Sequence, residues 1–267
     1  MSPKPFLKWA GGKRKLLEAY EPYIPKQYGT YFEPFLGGGA MFFHLQPEHA
    51  ILSDVNQRLV DCYRGVRDQP EWVICSLRWH ASEHSRDAKR HYYLTRDRFN
   101  ARQSGSYGVV SAAAQLIYLN RTCFNGLYRE NKKGEFNVPM GSYKNPKICD
   151  EENLVACFGA LRRTAVLCQH WRESTSKAQP GDFVFLDPPY AGTFTNYSAG
   201  GFDEAEQARM AHEFGRLAQQ GTHVLLSNSD CELVRSLYAG WRIVDIDTQH
   251  SMGRKKAKEV LIIGEVA

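Results

Sequence analysis

The sequence predicts an α/β fold of the nucleotide-binding type, with a basic, mostly helical insertion and an antiparallel hairpin near the C-terminal end. Three observations lead there. A short strand at Tyr31-Phe32-Glu33 passes through a glycine turn, Gly37-Gly38-Gly39, into a helix and then a second strand. From about residue 68 to 120 the pattern is helical throughout, and strands return only after residue 165. One of those later strands, apolar at every position, ends in Asp187-Pro188-Pro189-Tyr190.

Residues 13–24 read as a short amphipathic helix, with Leu16, Leu17, Tyr20 and Ile24 at helical spacing. The strand at 31–33 and a helix over 40–45 flank the glycine turn, and Ala50-Ile51-Leu52-Ser53-Asp54 reads as a second buried strand. A helix over 56–66 follows. Helical stretches at 71–79, 89–102 and 112–120 make up the insertion. Residues 121–149, rich in Asn, Lys and Arg, read as irregular loop with room for a hairpin. Strands at 165–168, 183–186 and 223–227 alternate with helices at 203–219 and 231–238. Two closing strands, 242–247 and 259–265, are expected to pair as a hairpin across a basic loop at 253–258.

Of 267 residues, 43% are hydrophobic and 24% charged, which excludes wholesale disorder. No run approaches the roughly 18 apolar residues a membrane helix needs, and the N-terminal residues lack the apolar stretch of a signal peptide. A cytoplasmic protein is expected. Seven cysteines without a C-x-x-C pair argue against a disulfide framework and a structural zinc site. The formal charge of +5 is unevenly spread: residues 59–150 carry 15 Lys and Arg against 9 Asp and Glu, the remainder 19 against 20. A basic segment inside a neutral chain suits a polyanion; a solvated, Lys/Arg-rich helical face is the alternative.

Two places carry chemistry. Glycines between a strand and a helix let a ligand approach the backbone and the helix N-terminus, and Asp54, at the end of the next strand, stands where an acid accepts hydrogen bonds from ribose hydroxyls. The pair suits an adenosine-containing cofactor without saying which one; a tight turn with a structural acid is the alternative. Asp187-Pro188-Pro189-Tyr190 is more specific. Its prolines fix the backbone where α/β ligand sites lie. The Asp187 carboxylate and Pro188 carbonyl can accept from an exocyclic amino group, and Tyr190 can stack on a planar base. By contrast His80, His84 and His91 lack acids at ligand spacing and read as core or surface histidines, and 254–258 reads equally as a phosphate grip or a hairpin tip.

These motifs, taken together, resemble a known family. Phe6-Leu7-Lys8-Trp9-Ala10-Gly11-Gly12-Lys13, Glu33-Pro34-Phe35-Leu36-Gly37-Gly38-Gly39, Ser53-Asp54-Val55-Asn56 and the Asp187 tetrapeptide occur in its order. So do Asn120-Arg121, Phe124-Asn125-Gly126-Leu127-Tyr128-Arg129 and Gly134-Glu135-Phe136-Asn137-Val138-Pro139. The chain is similar over nearly its whole length to the Dam-type DNA adenine N6-methyltransferases, in the α arrangement of motifs. The resemblance implies a Rossmann-like methyltransferase sheet with helices on both faces, formed by residues 1–58 and 151–267, and a DNA-recognition domain at 59–150.

It further implies S-adenosylmethionine as cofactor, held by Trp9, Lys13, Phe35, Gly37, Gly39, Asp54 and Asp187, with S-adenosylhomocysteine as product. Asp187, Pro188 and Tyr190 would be catalytic. In the insertion, Arg121 would contact phosphate, and Phe124 and Asn125 would sit beside an extruded adenine. Arg129 would read a guanine edge, Leu127 and Pro139 a thymine methyl, and Lys8 with Tyr143 a second guanine. Leu127 also reads as core, and Lys13 as part of a solvated helix start. Ser142 stands where some relatives have Arg. The implied reaction is methylation of a flipped adenine in double-stranded DNA, within GATC, by a monomer that needs no metal, no cysteine nucleophile and no membrane. Methylation of RNA or of cytosine N4, or an inactive DNA-binding relative, are the alternatives. A restriction partner, a replication or repair mark and a phage product are equally compatible.

Overall fold

The computed structural model describes residues 2–101, 108–192, 202–246 and 259–264. In chain order the helices are α1 (Leu17–Tyr20), α2 (Ala40–Leu45), α3 (Gln57–Asp68), α4 (Pro70–Arg86), α5 (Ala88–Asn100), α6 (Val109–Thr122), α7 (Glu151–Leu161), α8 (Trp171–Thr175), α9 (Glu204–Gln219) and α10 (Glu232–Leu237). The strands are β1 (Tyr31–Glu33), β2 (Ala50–Asp54), β3 (Thr164–Cys168), β4 (Phe183–Leu186), β5 (His223–Ser229), β6 (Arg242–Ile246) and β7 (Glu259–Gly264). The expected α/β class is what the chain adopts. The basic loop at 253–258 lies outside the described residues.

Three elements differ from expectation, one of them the five-residue α8, which His170 caps by accepting from the Arg172 amide and which the sequence reading does not contain. The single helix over 13–24 is instead a 3-10 turn, the one-turn α1 and a second 3-10 turn at Glu21–Tyr23. Pro22 lacks the amide hydrogen an α-helix needs, so the chain changes winding there. Helix α7 had no counterpart in the sequence reading. It buries Leu154, Cys157 and Leu161 at helical spacing, with Glu151 and Glu152 favourably placed at the positive end of its dipole.

The residues pack as two compact units. The first comprises Met1–Gly12, Leu36–Gln46 and Asn56–Cys168; the second comprises Lys13–Phe35, Pro47–Val55 and Gln169–Ala267. In the first, α3 packs chiefly on α6, with α4, α5 and α7 around them. Asn56 caps α3, its side chain accepting from the Leu59 amide at 3.1 Å. His80 and His91 belong to the core of this unit, their rings joined through Nδ1 and Nε2 at 2.9 Å. Burial, together with His91, pushes the His80 imidazole down to about 3, so the pair is neutral.

In the second unit six strands run in the order β2-β1-β4-β5-β7-β6. The first four are parallel, Tyr31 registering with Ala50 and Phe183, and Phe183 with His223. β7 enters antiparallel between β5 and β6. Alternation divides the side chains between two faces. Val184, Leu186, Val224, Leu226, Val260 and Ile262 pack with Met210, Phe214 and Leu217 of α9 and with Val234 of α10. On the other face Phe185 meets Tyr20 of α1, and Phe183 meets Tyr28 and Tyr31. Helices thus cover both faces, as expected. The direction of strand addition reverses between β1 and β4, and ligands of such sheets bind beyond the carboxyl ends at that point. Pro34-Phe35 and Asp187-Pro188 leave the sheet there.

Candidate active site and nucleic-acid interface

In the second unit, Asp187 follows directly on β4. Lys13 Nζ lies 2.7 Å from its Oδ1, and Ser227 Oγ of β5 donates to the same oxygen at 2.7 Å. Lys13 is buried, and its ammonium sits 4.7 Å from the centroid of the Tyr190 ring. That placement decides between the two sequence readings of Lys13. It is no solvated helix start. An ammonium taken out of water needs a partner, and Asp187 supplies it.

The turn after Asp187 is held from below. Gln207 of α9 donates from Nε2 to the Pro189 carbonyl at 2.9 Å. Asn228 of β5 donates to Gln207 Oε1 at 3.0 Å and accepts from the Ala191 amide at 3.0 Å. Pro188 is buried and Tyr190 half-buried. Burial and the carboxylates of Asp187 and Glu259 raise the Tyr190 phenol far above its ordinary range, so it stays protonated. Sequence reasoning had not named Ser227, Asn228 or Gln207, because no motif spacing marks residues recruited from neighbouring elements. Asp54 ends β2 half-buried, its carbonyl accepting from the Gln169 amide at 3.3 Å. Phe35 sits edge-on to Phe202 at 6.0 Å.

In the first unit, the glycine turn meets Trp9. Gly37 has φ of +45°, and a Cβ there would come within 2.9 Å of Trp9 Cδ1, so only glycine fits. The Gly37 carbonyl accepts from the Tyr63 hydroxyl at 3.1 Å, and Gly39, also at positive φ, caps α2. Trp9 stacks on Tyr128, with centroids 4.9 Å apart and planes 27° from parallel. Tyr128 belonged to a quoted motif but had no assigned role.

The segment after α6 is a narrow two-stranded excursion, with bridges between Cys123 and Met140 and between Glu130 and Phe136. Asn120, fully buried, ties it down: Oδ1 accepts from the Lys8 amide at 2.7 Å, while Nδ2 donates to the carbonyls of Lys8 and Gly126. Lys8 lies so close over Gly126 that a Cβ there would sit 2.2 Å from Lys8 Cδ. Lys8 Nζ lies 3.3 Å from the Tyr143 hydroxyl and 4.7 Å from its ring centroid, so the structure brings these two together.

Phe124, Asn125, Leu127, Arg129, Pro139 and Tyr143 are all exposed. Asn125 holds φ of +54°. Leu127 is therefore not core, whereas Tyr128, Phe136 and Val138 of the excursion are buried. The Arg129 guanidinium donates through Nε to Asn137 Oδ1 at 2.7 Å. Arg121 differs from these. Its guanidinium is half-buried and donates to the Phe6 carbonyl at 2.9 Å.

Among the described residues no group of His, Cys, Asp or Glu is arranged to hold a metal, all seven cysteines are free thiols, and no helix is long and apolar enough to cross a membrane.

Residues 9–252 match the family described as D12 class N6 adenine-specific DNA methyltransferase. The chain is 39% identical over 264 residues to the type II methyltransferase M1.LlaDCHI of Lactococcus lactis subsp. cremoris, covering 95% of this chain and 91% of that one. It is 38% identical over 277 residues to the type II methyltransferase M.MjaIII of Methanocaldococcus jannaschii, covering 97% and 96%. A DNA adenine methylase of Serratia marcescens is 34% identical over 270 residues, covering 97% of each chain. A match of this extent settles the family, and with it the chemistry: the chain is a member of the D12 class of N6 adenine-specific DNA methyltransferases, enzymes that carry a methyl group from an S-adenosylmethionine-type donor to adenine in DNA.

Proposed function

We propose that this enzyme methylates N6 of a flipped adenine within GATC in double-stranded DNA, acting as a cytoplasmic monomer. The observation that carries the reading is the Asp187 carboxylate at the carboxyl end of β4, held through Oδ1 by Lys13 and Ser227. With Oδ1 so engaged, Oδ2 is the oxygen assigned to the amino group, and the Pro188 carbonyl takes its second hydrogen. Two acceptors on one exocyclic nitrogen draw it toward tetrahedral geometry and localise a lone pair otherwise delocalised into the ring. Tyr190 offers its face to the base. N6 is out of reach inside the stack, so the target must leave the duplex.

We assign S-adenosylmethionine as the methyl donor. Bare backbone at Gly37 against the Trp9 ring suits a flat adenosine part, and Asp54 offers a carboxylate to ribose hydroxyls. Lys13, Phe35, Gly39 and Asp187 complete the set the resemblance assigns. When bound, the cofactor supplies a sulfonium methyl group, the electrophile of the reaction. The protein's share is to position the amino nitrogen.

We assign residues 59–150 to target recognition and 1–58 with 151–267 to catalysis. The exposed group of Phe124, Asn125, Leu127, Arg129, Pro139 and Tyr143, with Lys8, has the character of a base-reading surface: aromatic and apolar side chains beside donors. Phe124 would fill the gap left by the adenine. Arg121 would reach a phosphate from its half-buried position. The test is methyl transfer to duplexes carrying GATC and each single-base variant. Equal transfer to all adenine-containing duplexes would overturn the assignment of sequence.

A further inference from the structure

Because β7 runs opposite to β5, its first residue arrives where the parallel strands end. Glu259 pairs in register with Ser229, the last residue of β5. Leu186, the last of β4, registers with Leu226 of the same strand, which puts Asp187 on that edge too. Glu259 is 7% exposed. A carboxylate this buried is costly unless hydrogen bonds and charges compensate it. Here it accepts from the Tyr20 hydroxyl of α1, and its charge acts on the buried Tyr190 phenol.

Lys13 lies within the field of the same carboxylate and closes the circuit to Asp187 and the Tyr190 ring. Three separate elements, α1, the turn after β4 and the start of β7, therefore meet at Glu259. One buried ammonium lies in the field of two carboxylates, and one carboxylate acts on two tyrosines. Burial raises the Glu259 carboxyl above its ordinary value, against the opposing pull of Lys13.

We propose that Glu259, with Tyr20, is a positioning residue for methyl transfer: its buried carboxylate keeps Tyr190 in place and holds Lys13 where it pins Asp187. The proposal rests on the assignment of Asp187 and Tyr190 to the transferring centre. Its signature is a loss of transfer rate with DNA affinity kept, because Glu259 acts through Tyr190 and Lys13 and is itself buried away from the exposed surface around Phe124.

The experiment measures single-turnover transfer of a tritiated methyl group from S-adenosylmethionine to unmethylated genomic DNA, with KM for DNA. Glu259→Gln, which keeps shape and removes charge, is expected to slow transfer about 10- to 100-fold. Tyr20→Phe, which removes one hydroxyl, is expected to slow it about 3- to 10-fold. KM for DNA should stay within about threefold in both. The proposal stands only if both variants lose rate in this way. A wild-type rate in either, or a loss carried by KM for DNA, overturns it, and should Glu259→Gln fail to fold, Tyr20→Phe alone decides. Asp187→Ala, run alongside, keeps the two ideas apart. If Asp187→Ala is active, the underlying assignment fails; if it is dead while Glu259→Gln and Tyr20→Phe are normal, only the positioning role fails.

Discussion

The surroundings of Asp187 and the surface around Phe124 hold their working residues in opposite ways. At Asp187 the side chains hold one another: Lys13 and Ser227 both engage its Oδ1, Lys13 lies over the Tyr190 ring, and Glu259 accepts from Tyr20. Around Phe124 the backbone is held instead, by Asn120 and by the packing of Lys8 over Gly126, while the side chains that follow are left in solvent. The difference teaches what each task demands. A transferring centre must be fixed in orientation before substrate arrives. The surface proposed to read bases leaves its side chains exposed and holds the path of the chain beneath them.

If that contrast is right, damage to the buried circuit should appear in rate and damage to the surface in selectivity. The largest effect is expected from Asp187→Ala, which should cut turnover by about 10²–10³-fold or more while leaving duplex binding near wild type. Steady-state methylation with a gel-shift titration checks both halves, and retention of more than a few per cent of turnover breaks the catalytic assignment.

Next in size, Arg129→Ala should cost about 1–3 kcal/mol of discrimination at one base pair. Methylation of single-base variants at two salt concentrations separates the roles: a base reader loses selectivity at one position with its salt slope kept, whereas a phosphate contact weakens every site and lowers the slope by about one.

Gly126→Ala probes the backbone support directly. A non-glycine residue at φ of +65°, forced against Lys8, should destabilise by about 1–2 kcal/mol and displace Lys8. Weaker DNA binding at unchanged single-turnover rate is the expected pattern, and an unchanged affinity would break the contrast from this side.

The smallest expected effect is on stability against pH. His80 is neutral in the fold, its pKa pushed from 6.5 down to about 3 by burial and by His91. In the unfolded chain it takes up a proton near 6.5, so stability is full above that value and is lost as pH falls from about 6.5 toward 3. Melting temperatures should decline across this window, and His80→Gln should make the decline shallower. An unchanged slope would place the acid sensitivity elsewhere.

How much of this was legible in the sequence follows the same division. Asp187-Pro188-Pro189-Tyr190 and Gly37-Gly38-Gly39 announce themselves because their residues are contiguous and their backbone constraints local. Lys13 was ambiguous: a lysine in a Lys-Arg-Lys run looks solvated until the fold supplies Asp187. Glu259, Ser227 and Gln207 left no local trace, since their roles arise from strand register and helix docking far along the chain. The break in the first helix was legible in Pro22 and was missed, as was α7, whose Leu154, Cys157 and Leu161 carry a helical period.

The position of β7 has a consequence for how the enzyme comes into being. It is the last of the described strands in chain order, yet it lies between β5 and β6 rather than outside them. β6 is made earlier but has no sheet partner among the described strands except β7. On a ribosome, β1, β2, β4 and β5 can pair as they emerge, while β6 must wait for a strand not yet synthesised. The carboxylate that opens β7 thus reaches the sheet only after β6 has been made. A nascent chain that stops short of it would carry the whole Asp-Pro-Pro-Tyr motif and still lack the group that steadies it, which would keep an unfinished polypeptide from modifying DNA. Methyl transfer by chains released before residue 259 would contradict this order of events.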